Sequence, residues 1–507
     1  MKWIYFIFCQ FIFCFYSKAQ DYKRGNNWVT GFAPVVRFQF KPNFLIDTFV
    51  NSYFTFCSSV ISDTNGQFQF YCTGYTIMNK LGDIMENGEM VNCPQGVKIA
   101  KYYGGSSQYD QHSIIIPKKD NIYYVFSTGM SDSVANNFLN GTHFELDILN
   151  YSVVDMDANN GKGMVTDKNK IILDKQHYTN CALTAVKHAN GRDWWLVKSD
   201  CINHQYQTFL VQPDTILGPY YEQVVDTGDL CTFYGQIYFS DDGTKFATSM
   251  YADNQGTDSL PFYNWNRVEL YDFDRCTGKF TFRNVFKVPM DTSSYPGYDA
   301  RAGICFSPNG KLLYMSTNYS IFQINIESND VFNGQKICGP DTNFGFPLYN
   351  LMATGPDGKL YIGNFNGIRK YMSYIDKPNI KGLGCTFKPN GIYQPYTNLK
   401  SPPNMANYGL GKIPNSPCDT IGKLQVQEMV IYPNPARDAV KIYLPLPVNT
   451  TVNIALYNML GQEVQRWQAS LDTKQEINLQ LPYLAFGLYT LKATTAEWEF
   501  KARLLVE

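Results

Sequence analysis

An excess of charge of either sign is absent from this sequence of 507 residues. Its 43 lysine and arginine residues nearly balance its 44 aspartate and glutamate residues, and no run of like charges occurs. Proteins that bind nucleic acids need a basic surface that displaces counterions from the phosphates. The composition provides no such surface, and we expect no nucleic-acid partner.

Motifs of the common catalytic sites are also missing. The sequence contains no His-Glu-x-x-His, Gly-x-Ser-x-Gly or Gly-x-x-x-x-Gly-Lys segment, and it has only five histidines. Residues 155–161 are similar to a calcium-binding loop, but the glycine falls one place late and Thr166 stands where a bidentate glutamate is required. We interpret this segment as a turn, and we predict no catalytic residue, no metal and no cofactor.

Long apolar segments are absent after the first twenty residues, so no transmembrane segment is expected. The first residues themselves have the pattern of a secretory signal peptide. Lys2 provides a positive start, residues 3–16 are apolar, and the Ser-Lys-Ala sequence at 17–19 fits the small-x-small rule for cleavage. We therefore predict a signal peptide at residues 1–19 and an exported mature protein.

The cysteines agree with export. Thirteen cysteines less the two in the signal peptide leave eleven, so at least one thiol is free or pairs between molecules. With a four-residue loop in one hairpin and a three-residue loop in another, Cys57 faces Cys72 and Cys181 faces Cys201. Cross-strand neighbours lie close enough to form disulfides, which persist in oxidising compartments. We predict both disulfides, and the alternative is four buried reduced cysteines.

Aromatic residues, in contrast, are plentiful. The chain has 37 tyrosines and 35 phenylalanines, whereas charged residues make up only 17% of it. Flat aromatic side chains suit the pleated surface of a sheet, so this bias favours strands over helices. The chain is also too long for one ordinary core, and we expect two or more domains.

One turn recurs along the body of the chain, with an apolar strand on each side. Each copy has Asn or Asp followed by Gly, which supplies the positive φ that a tight hairpin needs. The copies lie at residues 63–66, 188–191, 240–243, 307–310 and 355–358, and residues 117–121 fill the widest gap without a glycine. A second hairpin follows each first one, so each repeat is a four-stranded antiparallel unit. Repeats of roughly 50–70 residues of this kind predict the blades of a β-propeller.

The sequence leaves six or seven blades open. Six repeats are visible, and residues 35–38 and 391–410 can close the ring or build a seventh blade. The recurring turns resemble the Ser-Pro-Asp-Gly turns of WD-type and related propellers. The predicted fold is therefore all-β, with a propeller of six or seven four-stranded blades followed by a small Ig-like sandwich.

Tyrosine, phenylalanine and glycine are concentrated just before the first strand of each blade. In a propeller these connections meet around one mouth of the channel, where aromatic faces stack well on a glycan or peptide ligand. The alternative is that these side chains pack between blades. The candidate ligand-binding residues are Tyr103, Tyr109, His112, Tyr178, Tyr234, Tyr298, Arg301, Phe346 and Tyr349.

The pattern changes near the C-terminal end. Residues 400–427 are rich in proline, asparagine, serine and glycine, as linkers are. Beyond them, six or seven short strands occupy about eighty residues, which indicates a small sandwich. We divide the chain into a signal peptide at 1–19, a propeller at 20–415, a linker at 416–428 and a terminal domain at 429–507.

The terminal domain carries the residues of a known family. Tyr-Pro-Asn-Pro at 432–435 is followed by Leu-Tyr-Asn-Met-Leu-Gly-Gln-Glu-Val at 456–464, Gly-Leu-Tyr at 487–489 and Phe-Lys-Ala-Arg-Leu-Leu-Val at 500–506. In order, spacing and position these segments resemble the type A sorting domains of type IX secretion cargo in Bacteroidetes, although the family more often has Asp where Asn458 stands. The alternative is a plain carbohydrate-binding-like sandwich. The residues assigned to the sorting signal by this resemblance are Pro433, Asn434, Pro435, Gly461, Gly487, Tyr489 and Lys501.

The resemblance implies recognition by the type IX translocon at the outer membrane, usually with removal of the domain, and release or anchoring at the surface. Residues 20–415 are also similar to uncharacterised propellers found before such domains, which implies no activity. We therefore predict a secreted or outer-membrane-surface protein that passes through the periplasm. Two functions fit an aromatic mouth: non-catalytic binding in adhesion or recognition, which we favour, and hydrolysis or lysis of extracellular glycans. An enzyme would need converging acids or a metal, and the sequence identifies neither.

Overall fold

The computed structural model describes residues 20–31, 35–49, 58–92, 109–140, 146–178, 182–200, 203–223, 235–250, 265–289, 303–339, 348–364, 369–396, 402–414, 416–418, 425–446, 450–472, 474–495 and 498–507. Almost all regular structure in these ranges is strand, which confirms the all-β prediction. The exceptions are one α-helix of 8 residues, α1 (Asp132–Leu139), and a few short helical turns.

The first three strands form a sheet of their own. They are β1 (Asn27–Gly31), β2 (Val35–Gln39) and β3 (Leu45–Phe49), paired antiparallel in that order. Six groups of four antiparallel strands follow, each built from two successive hairpins, as the repeated turns predict.

The first two of these blades share a sheet through one parallel pair, Met164 with Glu86. Their strands are β4 (Ser59–Ser62), β5 (Phe68–Cys72), β6 (Thr76–Asn79) and β7 (Ile84–Glu89), then β8 (Ser113–Lys119), β9 (Ile122–Gly129), β10 (Ile148–Asp155) and β11 (Met164–Leu173).

The other four blades are separate four-stranded sheets. Their strands are β12 (Leu183–Lys187), β13 (Trp194–Asp200), β14 (Gln205–Val211) and β15 (Ile216–Gln223); β16 (Ile237–Phe239), β17 (Lys245–Met250), β18 (Trp265–Phe273) and β19 (Phe280–Pro289); β20 (Gly303–Phe306), β21 (Leu312–Ser316), β22 (Ile321–Asn325) and β23 (Gln335–Cys338); and β24 (Tyr349–Thr354), β25 (Leu360–Asn364), β26 (Tyr371–Ile375) and β27 (Phe387–Tyr393).

The seven blades form a closed ring. From the first to the sixth repeated blade, the first strand of each blade contacts the first strand of the next, and β1 contacts β4. Trp28 of β1 packs edge-to-face on Tyr361 of the last repeated blade, with ring centres 5.2 Å apart. The N-terminal sheet therefore lies between the first and the last repeated blade. The structure confirms the propeller, with six four-stranded blades and a three-stranded seventh.

The recurring turns have the backbone that their sequence predicts. The glycines at 66, 191, 243, 310 and 358 all have positive φ, between 65° and 86°. In the copy that lacks glycine, Asp120 takes this conformation, with φ 52°. Asp and Asn tolerate left-handed backbone better than other residues with a side chain, so this hairpin forms without the glycine.

The cysteine at 72 is not paired as predicted. Ser59, not Cys57, lies opposite Cys72, because Ser62 pairs with Phe68 and a bulge shifts the register before it. The Cys72 thiol is free and buried, and Cys57 lies outside the described residues. The predicted disulfide between these two is therefore wrong.

The second predicted pair, Cys181 with Cys201, lies outside the described residues and stays a prediction. A disulfide that the sequence did not indicate links Cys276, between β18 and β19, to Cys418. Cross-strand register finds only partners within one hairpin, and these two cysteines are 142 residues apart.

The segment before Cys418 runs through the centre of the ring. The side-chain amide of Asn404 donates to the carbonyl oxygens of Ser113 and Leu183, and its backbone N–H donates to that of Ser58. Further along, the Tyr408 hydroxyl donates to the carbonyl oxygen of Ile115. These partners begin the first strands of three blades, so residues 402–410 lie in the central channel. We name this stretch the channel segment.

The C-terminal domain is a small sandwich of a five-stranded and a three-stranded sheet. Gln425–Glu428, which the sequence assigned to the linker, pairs in parallel with the last strand. The core between the sheets includes Ile442, Leu456 and Phe500, all fully buried. The strands are β28 (Gln425–Glu428), β29 (Val430–Tyr432), β30 (Ala439–Tyr443), β31 (Thr451–Tyr457), β32 (Glu463–Ser470), β33 (Glu476–Gln480), β34 (Gly487–Thr494) and β35 (Trp498–Val506).

Candidate functional site in the central channel

The predicted aromatic mouth is described only in part. Four of its nine residues belong to the described ranges, and three of these, His112, Tyr178 and Tyr349, are buried. Tyr109 is half-buried. The other five, which lie outside the described residues, are Tyr103, Tyr234, Tyr298, Arg301 and Phe346. For the three buried residues the structure shows packing within the propeller, not an exposed surface.

Contacts within the propeller hold two of these buried side chains in place. The Tyr178 hydroxyl donates to Gln207 Oε1 at 2.6 Å, and the Lys198 ammonium lies 4.2 Å from the centre of its ring. The His112 ring stacks edge-to-face with Tyr75, and burial lowers the pKa of His112 to about 4. His112 is therefore a neutral core residue, and neither ring is available to a ligand.

A different candidate site lies beside β1, which runs antiparallel to β4, the first strand of the neighbouring blade. Asn27, at the start of β1, bonds through its amide to Ser62 Oγ and the carbonyl oxygen of Gly66, at the end of β4. The carbonyl of Val29 accepts from the hydroxyl of Ser58, just before β4. Strand β1 is thus antiparallel to its neighbour, whereas the channel segment runs in the direction of β4 and β8. Among the described strand pairs, none joins the channel segment to β1.

A cavity of about 580 Å³ lies between these two parts of the chain. Its size is within the range of roughly 300–1,000 Å³ usual for small-molecule sites. Its wall is shared by β1 and the residues before it, the channel segment, the turns at 65–67 and 355–358, and the inner strands of several blades. The side of the propeller that carries the recurring turns therefore contributes to the cavity, opposite the mouth that the sequence predicted.

Two glutamines beside the cavity link blades across the channel. Gln111 both donates to and accepts from the backbone of Ile237, at 3.0 Å each. Gln236 makes the same double contact with Met352, at 2.8 and 3.1 Å, and also accepts from the N–H of Ile304. Each glutamine spans blades that are not neighbours, so their amides fix the diameter of the channel.

Three consecutive buried residues in the wall have polar atoms without partners. Asn26 Oδ1, Asn27 Oδ1 and Trp28 Nε1 make no hydrogen bond within the part of the chain that the structure describes. Their exposed fractions are 7%, 2% and 0%, and all three residues line the cavity. Nearly all buried polar groups in folded proteins are hydrogen-bonded. Three exceptions in succession at one cavity make it the candidate binding site.

The charged groups of the wall are mainly basic. Lys23, Arg37 and Lys41 line the cavity, and Asp241 is the one acidic residue among the described lining residues. Arg37 forms an ion pair with Asp47. Burial, followed by repulsion from Asp242, raises the pKa of Asp241 to about 7. Within the described ranges no group of three His, Cys, Asp or Glu side chains could hold a metal ion.

The residues of the predicted sorting signal mainly shape the sandwich. Asn434 acts as a backbone mimic against the last strand, since its amide donates to the Arg503 carbonyl and accepts from the Leu505 N–H, both at 2.9 Å. Gly461 turns the hairpin between β31 and β32 with φ 76°. The Tyr489 hydroxyl donates to the carbonyl of Ala485. Pro433 and Pro435 both follow cis peptide bonds, and Lys501 forms an ion pair with Glu499.

Residues 430–507 match the family model of the secretion system C-terminal sorting domain. This range coincides closely with the domain predicted at 429–507. Within the described residues no helix is long and apolar enough to cross a membrane. The sequence matches no curated protein.

Solved structures similar to this chain are remote. The periplasmic gluconolactonase PpgL of Pseudomonas aeruginosa is 10% identical, with a TM-score of 0.40 over 74% of this chain and 97% of that one. Hydrazine synthase of Kuenenia stuttgartiensis is 11% identical, with a TM-score of 0.36 over 67% of this chain and 93% of that one. The GH43_1 enzyme of Xanthomonas citri is 12% identical, with a TM-score of 0.25 over 50% of this chain and 80% of that one. Similarities this weak carry no argument about function.

Proposed function

We propose that this type IX secretion substrate, which is exported through the periplasm to the cell surface or secreted, is a non-catalytic binding protein. Its ligand occupies the cavity in the central channel, and its role is adhesion or recognition outside the cell. The observation that carries the proposal is the cavity beside β1, where residues 26–28 leave three buried polar atoms unpaired.

The physical argument rests on the cost of such atoms. A buried donor or acceptor without a partner costs about 1–3 kcal/mol. A ligand that bonds to Asn26, Asn27 and Trp28 removes that cost when it binds. The free energy recovered in this way adds to the affinity of the ligand. An ordinary packing defect would not be expected to collect three such atoms on the wall of one cavity.

A glycan hydrolase or lyase is the second candidate, and one observation favours it. The pKa of Asp241, raised to about 7, suits a group that exchanges protons near neutral pH. Most glycoside hydrolases, however, use two carboxyl groups that flank the bond to be cleaved. The described lining has one carboxyl group, which supports binding over hydrolysis.

A cavity-blocking variant tests the proposal. Gly25 lines the cavity, and the first carbon of a side chain at this position would meet no atom within 4 Å. We expect a screen of glycans and peptides against the full chain to find a ligand, Gly25→Phe to abolish its binding, and Gly25→Ala to retain it. Degradation assays on the same polymers should show no products. Equal binding by both glycine variants would place the ligand elsewhere, and products that disappear in Asp241→Asn would establish the enzyme instead.

The partner in export is the second part of the proposal. We infer that the outer-membrane translocon of the type IX system recognises the sandwich, with the propeller as its passenger. Deletion of residues 429–507 should leave the passenger folded in the periplasm of the native host. Cell fractionation that finds the shortened protein at the surface would contradict this assignment.

A further inference from the structure

Two lysines stand at the cavity around one exposed tyrosine. The ammonium groups of Lys23 and Lys41 lie 5.9 and 5.8 Å from the centre of the Tyr22 ring. All three residues line the cavity. Among the residues that the structure describes, no carboxylate forms an ion pair with either lysine. The two ammonium groups make this part of the wall basic, and opposite charge attracts, so an anion would be favoured here.

A buried residue ties together the two backbone segments that carry the lysines. The backbone N–H of Asn26 donates to the carbonyl of Lys23 at 3.0 Å, and its side-chain amide donates to the carbonyl of Lys41 at 2.8 Å. The other amide atom of Asn26, Oδ1, is one of the unpaired buried atoms at the cavity. The same residue therefore holds the backbone of both lysines in place and has an unpaired acceptor atom on the wall of the cavity.

We propose that the ligand is an acidic oligosaccharide, with a carboxylate or sulfate group between Lys23 and Lys41 and a sugar ring on the face of Tyr22. This inference rests on the proposed function, because it names the ligand class of the same cavity. Arg37 contributes less, since Asp47 already neutralises it.

The rest of the wall favours a sugar over an acidic peptide. Amide side chains are frequent there, and each both donates and accepts hydrogen bonds, as sugar hydroxyls do. Sugar rings also present apolar faces that stack on aromatic rings. The amide-bearing residues of the wall include Asn26, Asn27, Asn65 and Gln67. The amides of Asn404 and Asn407 also line it but are already bonded to the protein backbone. Asp241 opposes an anion, but the upward shift of its pKa to about 7 leaves a fraction of this carboxyl uncharged at neutral pH.

Calorimetry on the full chain tests the proposal with four small probes. Trigalacturonate supplies carboxylates, a sulfated carrageenan tetrasaccharide supplies sulfates, maltotriose is the neutral sugar, and hexaglutamate is the acidic peptide. We expect at least one acidic sugar to bind about tenfold more tightly than maltotriose. The stronger of the two acidic sugars identifies the anionic group.

The double variant Lys23→Gln/Lys41→Gln should weaken binding of that sugar by about tenfold or more and leave the melting temperature unchanged. Added salt should weaken the wild-type complex and affect the variant less, because salt screens exposed charges. Lys118→Gln is the matched control: Lys118 also lies over a tyrosine ring, at 5.2 Å from Tyr124, but outside the cavity wall. It should bind as the wild type does.

The outcomes separate this inference from the proposed function. Equal binding of neutral and acidic sugars, or tighter binding of hexaglutamate, overturns the ligand class and leaves a binding cavity in place. Undiminished binding of the acidic sugar by the double lysine variant also overturns it. Failure of every probe, together with no hit in the wider screen, overturns both.

Discussion

The seventh blade differs from the six repeated blades in how it fills the centre of the ring. In each repeated blade one stretch of chain supplies all four strands, and the first strands of successive repeated blades pack against each other. The N-terminal sheet has three strands, and its β1 runs antiparallel to β4. The channel segment, from the far end of the propeller, occupies the innermost position without pairing with β1 among the described strands.

The comparison shows where this fold keeps its polar groups. Strand β20 (Gly303–Phe306) of a repeated blade is buried at every residue, and Ile304, Cys305 and Phe306 belong to apolar clusters. At the seventh blade the corresponding region is the cavity, and its wall includes Asn26 and Asn27. The regular repeats therefore build the scaffold, and the irregular closure of the ring builds the candidate site.

The largest effect should come from removing the contact that closes the ring. Trp28 is fully buried and packs on Phe40 and Tyr361, with ring centres 4.9 and 5.2 Å away. Trp28→Ala should lower the free energy of unfolding of the propeller by about 3–5 kcal/mol, the usual cost of truncating a core aromatic. Urea denaturation measures this loss. Tyr483→Ala, at a fully exposed position of the sandwich, is the control and should change little. If Trp28→Ala also changes little, the N-terminal sheet is not a blade of the ring.

The second effect concerns how the channel segment is fastened. The disulfide between Cys276 and Cys418 closes a loop of 142 residues, and loss of a disulfide costs roughly 2–4 kcal/mol. Cys276→Ser and Cys418→Ser should each lose this amount in urea denaturation. The double variant should lose no more than either single variant, because all three break the same bond. Additive losses would show that the two cysteines are not paired with each other.

Much of the repeated part could be predicted from the sequence because its signals are local. A turn such as Ser-Asp-Asp-Gly at 240–243 identifies its own hairpin, and the segment at 456–464 identifies the sorting domain. The pairing register of the strands was harder to predict, because the amino-acid composition does not indicate the bulge between Ile61 and Ser62. The cavity was not predictable, since it depends on residues 26–28 lying beside a segment from the other end of the propeller. Local sequence patterns do not show that two segments so far apart in the chain lie side by side.

The third effect compares two buried glutamines. Gln236 bonds to the backbone of Met352 and Ile304, so Gln236→Met leaves buried backbone groups unpaired and should cost about 1–3 kcal/mol. Gln394 is fully buried, and neither of its amide atoms has a partner among the described residues. Gln394→Met should therefore stabilise the protein, by about 1 kcal/mol. Thermal or urea denaturation of the two variants should show changes of opposite sign. Equal losses in both would mean that the channel glutamine has no special role in closure.

The smallest effect is a pH dependence at the cavity. The carboxyl of Asp241 has an ordinary pKa of 3.8, which burial and the neighbouring Asp242 raise to about 7 in the folded protein. Between these two pH values the folded state binds the proton more tightly than the unfolded chain does. Raising the pH through this range therefore lowers the free energy of unfolding. Asp241→Asn removes the titrating group, so its advantage over the wild type should grow from none at pH 4 to about 1 kcal/mol at pH 8 for this partly exposed side chain.

The ionisable neighbours of Asp241 do not titrate in the pH range of this prediction. Burial raises the pKa of both Tyr238 and Cys305 far above this range, and hydrogen bonds from Ser240 and Thr244 lower that of Asp242. His112 works in the opposite direction, since its lowered pKa makes the protein more stable as the pH rises through the range from about 4 to 6.5. That contribution is common to wild type and variant, so it cancels in the difference between them. Urea denaturation of both proteins from pH 4 to pH 8 measures the difference, and a constant value would show that Asp241 is already charged at pH 4.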